Sequence, residues 1–114
     1  MRSALAVLVP SRWYENQPIT ILEAFACAVP VIGTRLGGIP ELVEDGITGI
    51  TTPANDPPSL AAAMRELASR IDRAGDMGLA ARARVERDFS PASHLARLDE
   101  IYSEARGVPA AVPA

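Results

Sequence analysis

Two short runs of apolar residues, each closed by a turn signal, lie near the start of the chain. Residues 4–10 read ALAVLVP and residues 29–34 read VPVIGT. A continuous apolar run of this length is typical of a strand covered on both faces, as in a parallel sheet. A third short strand is predicted near residues 49–52.

A helix is predicted between the first two strands, from Pro18 to about Ala28. Asn16 or Gln17 serves as its N-cap, since both side chains can accept a hydrogen bond from a free backbone N–H. Pro18 occupies the first helical position, where its missing N–H costs nothing. Pro30 prevents the helix from continuing.

This helix is apolar around most of its circumference. Between residues 19 and 27, only Thr20 and Glu23 are polar, and because they are three apart they share one face. A helix with so little polar surface is expected to be sandwiched in the core.

The remaining pattern is helical after one more turn. The double glycine Gly37-Gly38 predicts a backbone bend with positive φ, followed by a short helix at 40–44 that Gly46 ends. Asp56 is expected to cap the next helix, whose apolar stripe is Leu60, Met64, Leu67 and Ile71. A further helix is predicted at about 76–87.

The last helix is expected to begin with Ser90 as its cap and Pro91 in its first turn. Its apolar stripe would be Leu95, Leu98, Ile101 and Tyr102. The tail 107–114 has too little to bury and is expected to be disordered. The arginines of these C-terminal helices alternate with acids and are expected on a solvated face; they are Arg65, Arg70, Arg73, Arg82, Arg84 and Arg87.

Alternation of strand and helix predicts an α/β fold, a partial Rossmann-like parallel sheet with flanking helices. Residues 1–106 form one domain. Three strands are fewer than the ~5–6 of an average sheet, so we expect earlier strands of a larger domain to be missing and Met1 not to be the natural start.

The composition of the chain argues against several classes of function. The 114 residues are 48% hydrophobic and 22% charged, with a net charge of -3, so no basic stripe is available for nucleic acid. The single cysteine excludes a disulfide framework, and without a signal peptide or a span of ~20 apolar residues a cytoplasmic protein is expected. No Cys/His/Asp cluster has metal-ligand spacing, so we expect neither a metal nor a cofactor.

Glu23 is the residue in this helix whose presence needs an explanation. A carboxylate in an apolar helix is costly unless it is paired or opens onto a cleft. Two structural explanations of Glu23 remain open: a contact with Arg35 or Arg12, or simple exposure to solvent. A functional explanation is equally favoured by its position, because ligands of open α/β sheets bind where a loop at the end of a parallel strand leads into a helix.

The start of this helix is suited to an anion. The free N–H groups of Ile19 and Thr20, with the helix dipole behind them, can hold a phosphate. Glu23 lies one turn in, so its side chain leans back toward that end and can accept hydrogen bonds from the hydroxyls of a ribose. Glu15, in the loop, could reach a second polyol. A nucleotide-sugar meets all these requirements.

Residues 10–50, PSRWYENQPITILEAFACAVPVIGTRLGGIPELVEDGITGI, resemble the donor-binding segment of the family 4 retaining glycosyltransferases, the glycosyl transferases group 1 class. The shared features are E-x7-E from Glu15 to Glu23, then E-A, P-V-I and a G-G-x-x-E turn ending at Glu41. The likeness extends over about residues 3–104. The resemblance implies the C-terminal portion of a GT-B fold, with two Rossmann-like domains facing across a cleft.

The resemblance also implies roles for single residues. Glu23 would bind the ribose hydroxyls and Glu15, assigned as the catalytic residue, would contact the transferred sugar. The segment Asn16, Gln17, Pro18, Ile19 and Thr20 would bind the substrate, its last two N–H groups holding the diphosphate. The family often has glycine where this chain has Pro18 and Ala28. We expect the first change to stiffen the loop and the second to affect only packing.

The function implied is transfer of a hexose from a UDP- or GDP-hexose donor to a hydroxyl of a glycan, lipid or small-molecule acceptor. The Arg and Lys that neutralise the leaving diphosphate in this family come from an earlier part of the domain, so the chain alone is expected to be inactive. The alternatives are a truncated nucleotide-sugar-binding module and, ranked last, a structural α/β domain. Contact of the C-terminal helix with anionic membrane is only weakly favoured by the balanced charge.

Overall fold

A computed structural model describes residues 3–13 and 19–106 of the chain. It contains three strands and five helices in this part. The elements are β1 Val7–Val9, α1 Ile19–Ala26, β2 Val31–Thr34, α2 Ile39–Leu42, β3 Gly49–Thr52, α3 Pro57–Ser69, α4 Ile71–Asp88 and α5 Pro91–Arg106. The expectations for Tyr14 to Pro18 and for the tail 107–114 lie outside the described residues.

The three strands form one parallel sheet in the order β1-β2-β3. Val7 is paired with Val31, and Val31 in turn with Gly49, so the strands are in register at their amino ends. This confirms the predicted α/β fold with a parallel sheet.

Helices cover both faces of the sheet, and each face has its own apolar cluster. On one face, Ile21 and Phe25 of α1 pack with Val31 of β2, Ile39 of α2 and Ala81 of α4. The apolar cluster on the other face is smaller. It consists of Ile32 from β2, Ala63 and Leu67 from α3, and Ala74 and Met77 from α4. All four residues of β2 are buried, because successive side chains of a strand point to opposite faces and both faces are covered here.

Helix α1 is buried on one side only, which corrects the expectation that it is sandwiched in the core. Ile21, Ala24 and Phe25 are completely buried, whereas Ile19 is 69% exposed and Glu23 is also exposed. The reason is geometric: α1 packs against the sheet and α4, and nothing else among the described residues covers its other face.

Helix α1 ends at Ala26, two residues earlier than predicted, in a Schellman motif. The Val29 N–H donates to the Ala24 carbonyl at 2.9 Å, and the Ala28 N–H donates to the Phe25 carbonyl at 3.0 Å. This arrangement places Ala28 in the left-handed region with φ 57°. Alanine at the family's glycine position therefore strains the backbone, and the expectation that it affects only packing is wrong.

The bounds of two further helices differ from prediction. Helix α2 ends at Leu42, and Gly46, with φ 81°, lies in the turn before β3, where its N–H donates to the Gly49 carbonyl at 2.8 Å. Helix α4 begins at Ile71 rather than near 76. It continues through Gly78, where a Cβ would lie 2.0 Å from the Ala28 carbonyl oxygen, so close packing on α1's end outweighs the low helix propensity of glycine.

Two of the predicted apolar stripes are only partly buried. In α3, Leu67 is buried, but Met64 is exposed, and Ile71 is the exposed first residue of the next helix. In α5, the predicted stripe is largely exposed, although this helix contacts α4. Of its members, Leu95, Ile101 and Tyr102 are exposed and Leu98 is half-buried.

Arg84 is an anchor between helices rather than a solvated residue, which corrects the expectation for that position. Its guanidinium donates to the carbonyls of Leu42 and Glu41, the latter at 2.6 Å. It also lies 3.5 Å from Glu44 and 3.8 Å from Asp88. Arg84 thus satisfies carbonyls at the end of α2, which a helix leaves without intrahelical partners.

Candidate functional site

The carboxyl ends of the three strands meet at one edge of the sheet, because the strands are parallel. Ser11 and Arg12 follow β1 at this edge, Thr34 closes β2, and Thr52 closes β3. The chain returns from this edge into α1 at Ile19. Ligands of open parallel sheets bind at such an edge, so the predicted site lies in the expected place in the fold.

The first turn of α1 carries exposed residues. Ile19 and Thr20 are both exposed. The first four N–H groups of a helix have no intrahelical partner, and the helix dipole makes this end favourable for negative charge. The first turn contains no acidic side chain that could compete with a bound anion.

Glu23 lies on the same exposed face as Ile19 and Thr20, one turn further along the helix. Its carboxylate makes no ion pair with Arg12, with Arg35 or with any other residue that the structure describes. An interior salt bridge is therefore not the reason for this acid. No described residue bonds to its oxygens, which can accept hydrogen bonds from a ligand beside the helix end.

The structure brings together three of the seven residues predicted for the site: Ile19, Thr20 and Glu23. The other four, Glu15, Asn16, Gln17 and Pro18, lie outside the described residues.

A hydrogen bond fixes the start of the segment that carries those four residues. The Thr34 hydroxyl donates to the Ser11 carbonyl at 2.9 Å, and Thr34 is buried. The bond joins the end of β2 to the loop after β1. Sequence reasoning missed Thr34; a hydroxyl at the last position of a buried strand is the signal that could have drawn attention to it.

The double glycine forms a bend at the same edge. Gly37 has φ 59°, which confirms the predicted positive φ, and Gly38 caps α2 with φ -82°. The Leu36 N–H just before it donates to the Thr34 carbonyl at 2.9 Å. Glu41 is exposed in the first turn of α2, and its side chain has no hydrogen bond within the described part of the chain.

A cavity of about 210 Å³ opens at the carboxyl ends of β1, β2 and β3. We refer to it below as the edge cavity. It is lined by Pro10, Arg12, Thr34, Thr52, Pro53, Asn55, Asp56, Pro57 and Leu60. Sequence analysis had considered Arg12 as a possible partner of Glu23, and it did not predict a cavity here.

Asp56 lies at the rim of this cavity, and its carboxylate already has a partner within the protein. Its carboxylate accepts the Ser59 N–H at 3.1 Å and caps α3, as predicted. Hydrogen bonds from the Ser59 side chain and then from its backbone hold the pKa of Asp56 below its ordinary value of 3.8, against a smaller opposing effect of burial. Asp56 is thus ionised at neutral pH.

Within residues 3–13 and 19–106, no three His, Cys, Asp or Glu side chains are grouped closely enough to hold a metal ion. In the same residues, no helix combines the length and apolar character needed to cross a bilayer.

Comparison with known proteins identifies a family. The family described as "Glycosyl transferases group 1" matches residues 1–70. Alpha-maltose-1-phosphate synthase of Mycolicibacterium smegmatis is 42% identical, over 88% of this chain and 27% of that protein.

Solved structures agree with this fold. Sucrose-phosphate synthase from Thermosynechococcus elongatus superposes with a TM-score of 0.82 at 29% identity, covering 91% of this chain and 26% of that one. Anabaena HepE in complex with UDP-glucose superposes with a TM-score of 0.83 at 24% identity, covering 90% of this chain and 28% of that one. The chain thus spans about a quarter of the length of the proteins it matches.

Proposed function

Since the chain belongs to the group 1 glycosyl transferases, we propose that it is the donor-binding portion of a retaining glycosyltransferase. The reaction is transfer of a hexose from a nucleotide-diphosphate sugar to an acceptor hydroxyl. The position of Glu23 is the single observation that supports this most strongly: an exposed carboxylate without an ion pair to any described residue, on the same face as the amino end of α1.

The two parts of a donor nucleotide match the two parts of this helix. The N–H groups at Ile19 and Thr20, together with the helix dipole, stabilise the diphosphate. Glu23 accepts hydrogen bonds from the hydroxyls of the ribose, the sugar that carries the diphosphate in a nucleoside diphosphate. A hydrogen bond to a charged acceptor contributes about 1.5–3 kcal/mol, enough to orient the donor.

The loop before α1 carries the remaining proposed contacts. Glu15 orients the transferred hexose, and Asn16, Gln17 and Pro18 line its approach to the diphosphate. The hydrogen bond from Thr34 to Ser11 supports this proposal, because it holds the beginning of that loop against β2.

Transfer also needs groups that this stretch does not supply. The leaving diphosphate gains charge as the bond to the sugar breaks, and cations placed beside it lower the barrier. The chain spans about a quarter of its relatives' length, which favours a second candidate for the isolated polypeptide: a module that binds the donor without turning it over.

We propose a UDP- or GDP-hexose as donor and a glycan, a lipid or a small molecule as acceptor, in the cytoplasm. HepE binds UDP-glucose, as its complex shows, although its likeness to this chain supports the fold alone.

The test is a pair of assays on the 114-residue chain and on the longest polypeptide of the natural reading frame that contains it. Calorimetric titration with UDP and GDP measures donor binding, and release of nucleotide from UDP-glucose or GDP-mannose in the presence of acceptors measures transfer. We expect both proteins to bind one nucleotide and only a longer polypeptide to transfer. Absence of nucleotide binding in both would overturn the proposal.

A further inference from the structure

Strand β3 lies at one end of the sheet, so one of its two edges is paired with no other described strand. The Arg35 N–H, just after β2, donates to the Thr52 carbonyl at 2.8 Å, so the backbone groups of Thr52 point toward β2. In a parallel sheet the backbone groups of successive residues point to alternate sides of the strand. Those of Gly49, Thr51 and Pro53 therefore point to the outer edge. An open edge of this kind is a template for pairing with another strand.

The sequence of β3 and of the turn before it favours such pairing. Residues 47–52 read ITGITT, a segment without a charge or a proline in which five of the six residues are β-branched. Uncharged segments of this length with high β-propensity pair readily with identical segments of other chains. Ile47 is 54% exposed and Ile50 is half-buried, so the segment is accessible. The partner best suited to this edge is therefore the same strand of a second copy.

The turn before β3 folds back over the beginning of this edge. The Gly46 N–H donates to the Gly49 carbonyl at 2.8 Å, and Asp45 forms an isolated parallel bridge with Gly49. Gly46 has φ 81°, a conformation that glycine adopts without strain. The outward carbonyl at the beginning of β3 thus has its partner within the chain.

The Asp45 carboxylate closes the middle of the edge. Its Oδ1 accepts the Thr51 N–H at 2.8 Å. Thr51 is only 8% exposed, whereas Asp45 is exposed, so a second strand would have to displace this charge-assisted bond and bury the carboxylate beside it. Pro53 has no N–H, so the next outward position offers no donor to a second strand.

We propose that Asp45 and Pro53 protect the outer edge of β3 from pairing with β3 of a second copy, and that loss of the Asp45 carboxylate makes this edge a self-association surface. The acid and the proline stand on either side of the uncharged segment 47–52. Residues that flank a strand in this way prevent its aggregation. The proposal does not depend on nucleotide binding.

Analytical ultracentrifugation of the 114-residue chain over a range of concentrations tests the proposal. Asp45→Ala leaves the Thr51 N–H without its acceptor, and we expect it to associate at an about tenfold lower concentration than the unmodified chain, the effect of one charge-assisted hydrogen bond. Asp45→Asn keeps an oxygen that can accept the same N–H, so we expect it to behave like the unmodified chain. If Asp45→Ala associates no more readily than the unmodified chain, the proposal is overturned.

Asp56→Ala is the matched control, because it removes the same chemical group from a backbone N–H that lies outside the sheet. Asp56 accepts the Ser59 N–H at 3.1 Å at the start of α3. We expect urea denaturation to show a similar loss of stability for Asp56→Ala and Asp45→Ala, and ultracentrifugation to show association of Asp45→Ala alone. Equal association of the two variants would contradict the proposal, since lower stability would then be sufficient to cause it.

A charge returned to the edge tests where the association occurs. Ile47→Lys, combined with Asp45→Ala, places a lysine beside the opened edge, and we expect it to reverse the association. Leu79→Lys, combined with Asp45→Ala, adds the same charge at a 66% exposed position of α4, and we expect the association to persist. Equal effects of the two lysines would contradict the assignment to β3.

Hydrogen exchange of the unmodified chain, followed by NMR, does not require any variant to fold. We expect the Thr51 amide to exchange about tenfold or more slowly than an amide without a hydrogen bond, although it points to the outer edge of the sheet. Exchange of the Thr51 amide at the rate of an unprotected amide would overturn the proposal, because Asp45 would then not close the edge.

Discussion

Ala28 shows how one residue stores strain at the end of a helix. The Schellman motif at the end of α1 requires a left-handed residue, and Ala28 adopts φ 57° there. An alanine Cβ makes this conformation unfavourable by about 1–2 kcal/mol, whereas glycine adopts it freely. The core contact of Val29, which follows in the motif, holds Ala28 in place.

We predict that Ala28→Gly raises the free energy of unfolding by about 1 kcal/mol. Glycine relieves the strain in the folded state, and this gain is reduced because glycine also gives the unfolded chain more conformational entropy. Urea denaturation measures it. Ala62→Gly, at an exposed position inside α3, is the control and should lower the free energy of unfolding by about 1 kcal/mol. A loss of stability in both variants would show that Ala28 is not strained.

Asp56 gives the protein a pH-dependent contribution to stability. Because the folded pKa of Asp56 lies below 3.8, its stabilisation is fully present above that value and is lost as the pH falls through the folded pKa. The variant Asp56→Asn still caps α3 but cannot titrate.

We therefore predict a higher Tm for the unmodified chain than for Asp56→Asn at neutral pH, because only the carboxylate has the favourable charge for a helix N-terminus. Melting curves between about pH 6 and about pH 2 should show the difference shrinking on acidification. The other carboxylates titrate in both proteins and cancel. A Tm difference that stays constant over this range would contradict the prediction.

At the scale of elements, α1 shows what apolar periodicity predicts and what it does not. The pattern correctly predicted a helix, its place after β1, and a shared face for Thr20 and Glu23. It did not predict that Ile19 is exposed. An apolar side chain indicates burial only where some other part of the protein covers it, and the described residues cover one side of α1 alone.

The long-range hydrogen bonds of the arginines could not be predicted from the sequence either. Alternating charges along α4 predicted a solvated face, yet Arg82 donates to the Ala26 carbonyl at 2.5 Å and Arg84 to carbonyls at the end of α2. These partners lie 56 and about 42 residues away along the chain. Local pattern contains no information on which distant carbonyls lack a partner.

We predict that Arg84→Met lowers the free energy of unfolding by about 1.5–3 kcal/mol, since it removes charged donors from carbonyls at the end of α2. Arg84 is only 15% exposed, so solvent replaces these bonds poorly. Arg65→Met, at an exposed position on α3, is the control, with an expected change within about 0.5 kcal/mol. Chemical denaturation measures both, and equal effects would exclude an anchoring role for Arg84.

At the scale of the whole molecule, the parallel sheet was predictable, and with it the edge at which the proposed site lies. Three apolar runs separated by helical segments allow few other arrangements, and connections between parallel strands bring the carboxyl ends to one edge. The edge cavity was not predictable, because Arg12, Thr34 and the stretch from Thr52 to Asp56 belong to three separate segments that only the folded sheet brings together.

The central claim is that Glu23, beside the amino end of α1, binds the ribose of the donor. Isothermal titration calorimetry of whichever of UDP and GDP binds better tests it directly, with Glu100→Ala as a control at an exposed acid of α5. We predict that Glu23→Ala weakens binding by about 1–3 kcal/mol, whereas the control binds like the unmodified chain. Equal dissociation constants for all three proteins would contradict the account.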